Sequence, residues 1–283
     1  MSARLASVVV FVAASTLVAR AQNAAFSTKV EAVRVDVLVT DKGQPVRGLT
    51  PADFEIFDNG VLQQVDLVSF EQIPLNVILA LDMSDSVAGE RLDHLRIAGH
   101  ALLNGLKKDD QAALVTFRRD VTLDADLTTD ASAVRAALDE AEPAGATALV
   151  DGAYSAIVVG ESDVGRALLI VFSDGLDTSS WLPSESVLES AKRSDVVAYA
   201  VSVGRARAEF LRDLTSFTGG RLFEIEKTAN LSAIFLSVLE EFRQRYLVSY
   251  TPHGVARDGW HRLTVRVKRG GTVKARPGYL AGS

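Results

Sequence analysis

No cysteine occurs in the 283 residues of this chain. The absence excludes disulfide bonds, thiol nucleophiles and metal sites built from thiolates. The four histidines are scattered, and their pattern favours ordinary helix or surface positions: they are His94, His100, His253 and His261. A metal site in this protein is therefore expected to use oxygen ligands, and the fold is expected to rely on its hydrophobic core.

Two enzyme signatures are also missing. The sequence contains no Gly-x-Ser-x-Gly nucleophile elbow, which argues against a serine hydrolase, and no glycine-rich phosphate loop. Residues 124–128 do match the Asp-x-Asp-x-Thr pattern of haloacid-dehalogenase-type phosphotransferases. The strand predicted before them is too short and exposed, because that nucleophile sits at the end of a buried strand. Neither observation predicts an enzyme.

No apolar run reaches the ~20 residues that span a bilayer. The longest follows Arg4, covers about 15 positions and precedes a small-x-small pattern at residues 19–21. We therefore predict a secretory signal peptide over residues 1–21, cleaved after Ala21; an uncleaved membrane anchor is the alternative. The mature protein is expected to be secreted or periplasmic and to have no transmembrane segment.

Acidic residues outnumber basic residues, 36 to 30. Removal of residues 1–21 takes away Arg4 and Arg20, which leaves 28 basic residues and a formal net charge of −8. This negative balance argues against a nucleic-acid-binding surface. At 48% hydrophobic and 23% charged residues, the composition is that of a globular protein rather than a disordered one.

The hydrophobic pattern divides the mature chain into three regions. Residues 27–72 and 246–283 alternate as β-strands do, and Asp58-Asn59-Gly60 is a strong hairpin signal. Residues 73–245 predict an α/β domain with a doubly wound, mostly parallel sheet, because apolar runs alternate with amphipathic segments. The predicted strands of this domain are 75–81, 112–117, 121–123, 166–172, 196–203 and 221–224. The predicted helices are 91–106, 130–140, 148–159, 184–193, 208–215 and 230–245.

Each flank by itself is short for a stable pair of sheets. We therefore predict that residues 27–72 and 246–283 are the two halves of one small β-sandwich. On this interpretation the α/β domain is inserted between the halves. Two independent β appendages are the alternative.

The apolar run before Asp82 ends in Asp-Met-Ser-Asp-Ser, a cluster of small oxygen-bearing side chains. Taken alone, Asp82, Ser84 and Ser86 would more often cap the next helix than bind a metal. Thr147 precedes a predicted helix and Asp174 ends another buried strand, so both are expected at the same carboxyl edge of the sheet. Five hard oxygen side chains at one edge favour Mg²⁺, with Mn²⁺ or Ca²⁺ as alternatives.

Three motifs, Asp-x-Ser-x-Ser, Gly-x-Thr-x-Leu and Ser-Asp-Gly, follow the expected elements in this order. Together they resemble the von Willebrand factor type A (VWFA) domain over roughly residues 73–245. The resemblance implies a metal-ion-dependent adhesion site, and its implied metal ligands are Asp82, Ser84, Ser86, Thr147 and Asp174. The two flanks are similar to a secreted "VWFA-related" family known mostly from acidobacteria. Insertion of a type A domain into a β-sandwich also resembles the integrin β chain.

Five protein ligands leave at least one position on a six-coordinate cation. An Asp or Glu carboxylate from a protein partner would be favoured there, because it meets a cation with little competition from water. We therefore expect an exported, non-enzymatic, adhesion-type binding protein. A structural or assembly component of the cell envelope with incidental metal binding is the alternative, and a metal-dependent hydrolase is a third. Trp181 is expected either to anchor a partner or to pack beneath its own loop.

Overall fold

The computed structural model describes residues 32–70, 73–163, 165–174, 176–204 and 208–282. The predicted signal peptide, residues 1–21, lies outside these ranges. In the described part of the chain, no helix combines the length and the apolarity needed to cross a membrane.

The described chain begins with five strands. These are β1 (Val33–Asp41), β2 (Gln44–Pro45), β3 (Phe54–Asp58), β4 (Val61–Gln63) and β5 (Val65–Ser69). The predicted hairpin at Asn59 and Gly60 joins β3 to β4, which pair antiparallel. Both turn residues have the positive φ angles that such a two-residue turn requires.

A six-stranded sheet forms the centre of the α/β region. Its strands are β6 (Leu75–Asp82), β7 (Gln111–Phe117), β8 (Val121–Thr128), β9 (Arg166–Ser173), β10 (Val197–Val203) and β11 (Leu222–Ile225). They lie in the spatial order β11-β10-β9-β6-β7-β8. Only the β7–β8 pair in this sheet is antiparallel, so the prediction of a mostly parallel sheet is confirmed.

Helices cover both faces of this sheet. They are α1 (Glu90–Asn104), α2 (Ala131–Glu140), α3 (Leu149–Gly160), α4 (Ser184–Arg193), α5 (Glu209–Thr218) and α6 (Leu231–Arg243). Successive side chains of β6 point to opposite faces, so Val77 and Leu79 pack with α1, α2 and α6. Ile78 and Ala80 pack on the other side with α3, α4 and α5. The sheet is therefore doubly wound, as predicted.

Two elements are longer than the sequence indicated. Strand β8 continues to Thr128 rather than ending at residue 123. It is an edge strand with exposed Asp124, so its pattern is more polar than that of a buried strand. Helix α5 continues to Thr218 rather than ending at residue 215. The hydroxyls of Thr215 and Thr218 donate to carbonyls one turn back, which satisfies side chains that usually disfavour helices.

The chain ends in four more strands. They are β12 (Tyr246–Tyr250), β13 (Gly259–Val267), β14 (Thr272–Lys274) and β15 (Gly278–Ala281). One flanking sheet has the order β14-β1-β12-β5, with β2 paired to β1, and the other has the order β15-β13-β3-β4. Each sheet thus combines strands from before and after the α/β region.

The two flanking sheets share one hydrophobic core. Val35 and Val37 of β1 lie in the same buried cluster as Ile56 of β3. The Asp58 carboxylate accepts hydrogen bonds from the hydroxyls of Tyr250 at 2.8 Å and Tyr279 at 2.9 Å, and so links β12, β3 and β15. The flanks therefore form one structural unit, while the domain boundaries at 27–72, 73–245 and 246–283 stay a prediction.

The flanking sheets contact the amino edge of the central sheet. Arg166, the first residue of β9, forms a buried ion pair with Asp36 of β1, and its Nε lies 2.9 Å from Asp36 Oδ1. Arg276 donates from Nη1 to the carbonyl of Ser194 at 2.7 Å, just before β10 begins. Four of the predicted metal ligands lie at the opposite ends of β6 and β9, at the carboxyl edge: Asp82 ends β6, Ser84 and Ser86 follow it, and Asp174 follows β9.

Candidate metal centre

Three loops lie at the carboxyl edge of the central sheet. The first follows β6 (residues 83–89), the second joins α2 to α3 (residues 141–148) and the third follows β9 (residues 174 and 176–183). Strands β6 and β9 are neighbours, so the first and third loops leave the sheet side by side. Asp85 N donates to Gly145 O at 3.1 Å and Gly145 N donates to Asp85 Oδ1 at 2.9 Å, which joins the second loop to the first.

Asp82 is the last residue of β6 and is fully buried. Its Oδ1 accepts from the backbone amide of Ser84 at 2.9 Å, and its Oδ2 accepts from the Ser173 hydroxyl at 2.7 Å. Burial is the largest influence and raises the pKa of Asp82; the nearby charge of Asp174 raises it further, and the hydrogen bonds from Ser84 and Ser173 offset this only in part. These donors are neutral, so a bound cation would stabilise the charged form of this carboxyl group.

Ser84, Ser86 and Asp174 form a chain of contacts across the first and third loops. The hydroxyl oxygens of Ser84 and Ser86 are 3.0 Å apart, and Ser86 Oγ donates to Asp174 Oδ1 at 2.6 Å. The side chain of Asp174 is fully buried. The structure thus brings these three predicted ligands together.

Arg91, on the first turn of α1, reaches the same group of side chains. Its Nη1 donates to the backbone carbonyl of Ser86 at 3.0 Å and to Oδ2 of Asp174. The Arg91 side chain is 44% exposed. Its guanidinium supplies a positive charge to Asp174, so it would compete with a metal ion for this carboxylate.

Thr147 lies in the second loop, just before α3, and is buried. Its amide donates to Thr178 Oγ1 at 3.0 Å, and its carbonyl accepts from the amides of Thr178 at 2.9 Å and Ser179 at 3.1 Å. These bonds hold the second loop against the third. Thr147 is therefore placed beside the loop that carries Asp174, with its backbone position fixed through Thr178 and Ser179.

The donor set fits a hard divalent cation. Its carboxylate and hydroxyl oxygens are the ligand atoms that Mg²⁺ and Ca²⁺ prefer. Asp82 and Asp174 repel each other electrostatically, and a cation held by both would relieve that repulsion. Among the described residues, no three His, Asp and Glu side chains come together as a metal-binding group. A cation at this edge would therefore depend on the Ser and Thr hydroxyls as well.

Sequence reasoning missed three residues that hold the predicted ligands: Ser173, Arg91 and Thr178. Ser173 carried a signal, because it is the serine of the Ser-Asp-Gly motif and stands directly before Asp174. Arg91 and its partner Asp174 are 83 positions apart in the sequence, and Thr178 and its partner Thr147 are 31 positions apart. A single sequence offers no pattern that reveals such long-range pairs.

Trp181 lies in the third loop with 91% of its surface exposed. The alternative in which it packs beneath its own loop is therefore wrong. Asp177, also in the third loop, accepts hydrogen bonds from Ser180 Oγ at 2.5 Å and from the amide of Val150 at 3.4 Å. It thus takes part in fixing the third loop on the start of α3.

The family model of the von Willebrand factor type A domain matches residues 76–236, which is more than half of the chain. No curated protein is significantly similar to this sequence. The matched segment contains all five predicted ligands and runs from β6 into α6.

Solved structures with the same fold come from distant proteins. One is proximal thread matrix protein 1 from the mussel byssus, in a structure with a zinc-occupied MIDAS motif. It aligns with a TM-score of 0.57 and 19% identity, and the alignment covers 67% of this chain and 50% of that chain. Another is the vWF domain of the type V pili tip protein Mfa5 from Porphyromonas gingivalis. It aligns with a TM-score of 0.50 and 14% identity, and the alignment covers 59% of this chain and 94% of that chain. A third is the conserved hypothetical protein BatB from Bacteroides thetaiotaomicron. It aligns with a TM-score of 0.50 and 16% identity, and the alignment covers 59% of this chain and 98% of that chain.

At these identities the likeness establishes the fold alone. The aligned region spans only about half the length of the mussel protein.

Proposed function

Because the chain belongs to the von Willebrand factor type A family, we propose that it is an exported binding protein. In this proposal Asp82, Ser84, Ser86, Thr147 and Asp174 hold a divalent cation, Mg²⁺ in the first instance, and a carboxylate of a partner protein completes its coordination. The observation that carries the proposal is the chain of contacts from Ser84 through Ser86 to Asp174, beside the buried Asp82.

The proposal follows from charge and ligand number. Two carboxylates neutralise a divalent cation, and three hydroxyls supply neutral ligands of the same hard type. A six-coordinate ion then keeps at least one position that the protein does not fill. The cation would supply a desolvated positive charge at that position, and a carboxylate is the protein group that such a charge favours most.

We propose further that the protein is not an enzyme. The competing phosphotransferase pattern places Asp124 within β8, an antiparallel edge strand, where its Oδ2 accepts from Thr116 Oγ1 at 2.6 Å. That position differs from the end of a buried parallel strand, which the nucleophile of such an enzyme occupies. The resemblance of the flanks to the secreted "VWFA-related" family supports export, and sequencing of the mature amino terminus, expected at Gln22, tests it.

Titration calorimetry of metal-stripped protein with Mg²⁺ tests the site. Wild type is expected to bind one Mg²⁺ per chain, and Asp82→Asn and Asp174→Ala are expected to lose this binding because each removes one of the two anionic ligands. Saturation should also stabilise wild type, by about 2.7 kcal/mol when free Mg²⁺ is a hundredfold above the dissociation constant. Neither variant should gain this stability.

Asp120→Ala is the matched control, because Asp120 is a loop acid after β7 that pairs with Arg118 at 3.2 Å. It should bind Mg²⁺ as wild type does. Equal binding by wild type and Asp174→Ala would overturn the proposed site. Partner capture that survives EDTA and Asp174→Ala unchanged would instead favour the structural or assembly role.

A further inference from the structure

Three exposed apolar side chains follow Asp174 within eight positions. Leu176 is 53% exposed, Trp181 is 91% exposed and Leu182 is 38% exposed. We call these three residues the rim patch. Large apolar side chains that are grouped on a surface usually mark a binding surface, because exposing them to water is unfavourable.

The backbone that carries the rim patch is held in place. The amides of Trp181 and Leu182 donate to the two carboxylate oxygens of Asp151, each at 2.9 Å. Ser180 Oγ accepts from the amides of Val150 at 3.1 Å and Asp151 at 3.2 Å. A Trp side chain on a fixed backbone loses little further conformational entropy when a partner binds it.

Backbone contacts place the rim patch beside the candidate metal centre. Thr178, whose amide donates to the Thr147 carbonyl at 2.9 Å, precedes Trp181 by three residues, a distance that the chain spans in at most about 10 Å. The rim patch and Thr147 are therefore parts of one continuous edge. Arg91, which contacts Asp174 and is 44% exposed, adds positive charge to that edge.

We propose that the rim patch binds a large apolar side chain of the same partner segment whose carboxylate completes the metal site; this inference rests on the proposed function. The partner segment would carry its apolar residue two to four positions from its Asp or Glu, since that spacing spans about 7–13 Å in an extended chain. Trp181 is the anchor, because Trp is one of the three residue types enriched among the side chains that dominate binding energy at protein interfaces.

A display library of short peptides with a fixed central Asp and random neighbours tests this preference. Wild-type protein with Mg²⁺ is expected to enrich Leu, Ile, Met, Phe and Trp at two to four positions from the Asp. Trp181→Ser is expected to keep its preference for Asp-centred over Ala-centred peptides but to lose the apolar enrichment. For one enriched peptide, affinity should fall roughly thirtyfold in Trp181→Ser.

Leu62→Ser is the matched control, because Leu62 is 60% exposed and lies on β4 of a flanking sheet. It should select the same peptides as wild type. If wild type selects Asp-centred peptides without an apolar preference, or if Trp181→Ser selects the same ones, the inference is wrong and the proposed function stands. If wild type does not prefer Asp-centred over Ala-centred peptides in Mg²⁺, the proposed function fails as well.

Fluorescence gives a second readout, since the chain has only two tryptophans. In Trp260→Phe, Trp181 is the sole reporter, and its emission should shift to the blue when an enriched peptide and Mg²⁺ are added. A blue shift with phosphatidylglycerol vesicles alone would overturn the inference in favour of a lipid surface. A shift with protein concentration alone would overturn it in favour of self-association.

Discussion

Asp110 at the amino edge of the central sheet and Asp82 at its carboxyl edge are both buried, yet their pKa values move in opposite directions. Burial by itself raises the pKa of both. At Asp110 this effect is outweighed by Arg243, whose Nη2 lies 2.6 Å away, and by the amides of Leu75 and Lys107. At Asp82 the hydrogen-bonding partners are neutral and the negative charge of Asp174 raises the pKa further, so the pKa stays raised.

The two edges of the central sheet differ in how exposed the arginines are that pair with their buried acids. At the amino edge, buried acids pair with arginines that have little exposure: Asp36 pairs with Arg166, whose side chain is 3% exposed, and Asp110 pairs with Arg243, whose side chain is 12% exposed. At the carboxyl edge the charged partner of Asp174 is Arg91, whose side chain is 44% exposed. A buried carboxylate without a fixed cation costs stability, and proteins keep such groups mainly where they function.

The largest effect is expected from breaking the amino edge. Arg166→Met leaves the Asp36 carboxylate buried without its partner, so the free energy of unfolding should fall by about 3–5 kcal/mol in urea titrations. Mg²⁺ affinity of the folded fraction should not change, because the pair is at the opposite edge. The double variant Asp36→Leu/Arg166→Met should recover much of the loss, since two apolar groups replace the ion pair. A double variant less stable than the single one would contradict this account.

A middle effect is expected from Asp110→Asn, about 2 kcal/mol at neutral pH, because a charged hydrogen-bonding partner of Arg243 is lost. The folded-state pKa of Asp110 is lowered, so its stabilisation is complete above the unfolded value near 3.8 and is lost as pH falls through the lower folded value. Urea titrations from about pH 7 to pH 3 should therefore show a weaker acid destabilisation in the variant. Asp109→Asn, an exposed neighbour, should behave as wild type; equal pH profiles for all three proteins would contradict the assignment.

The smallest effect is expected at the carboxyl edge. Arg91→Ala removes the cation that competes for Asp174, so Mg²⁺ should bind two- to fivefold more tightly, which is the worth of a partly exposed ion pair. The gain should shrink at high ionic strength. Arg118→Ala, which removes another arginine from a loop at the same edge, should change Mg²⁺ affinity less. Weaker Mg²⁺ binding by Arg91→Ala would mean that the arginine supports the site rather than competing for it.

The strand ends were the most predictable part of the site. Asp82 and Asp174 end apolar runs, and parallel strands present their carboxyl ends at one edge, so convergence could be inferred without coordinates. The packing of Thr147 on the third loop was not predictable, because it depends on Thr178 and Ser179 in a loop without a repeating pattern. The length of β8 was also missed, since an edge strand with one face in solvent resembles a polar loop.

The sequence by itself determined the α/β class and the order of its elements, and it singled out the five candidate oxygen donors, because periodicity and local motifs carry that information along the chain. Only the tertiary structure decided which charges meet. It paired Arg166 with Asp36 and Arg91 with Asp174, and it left the Trp181 ring in solvent beside the candidate metal centre. These outcomes depend on how segments distant in sequence pack together and on how far each side chain is buried from solvent. Neither property is encoded in local sequence spacing.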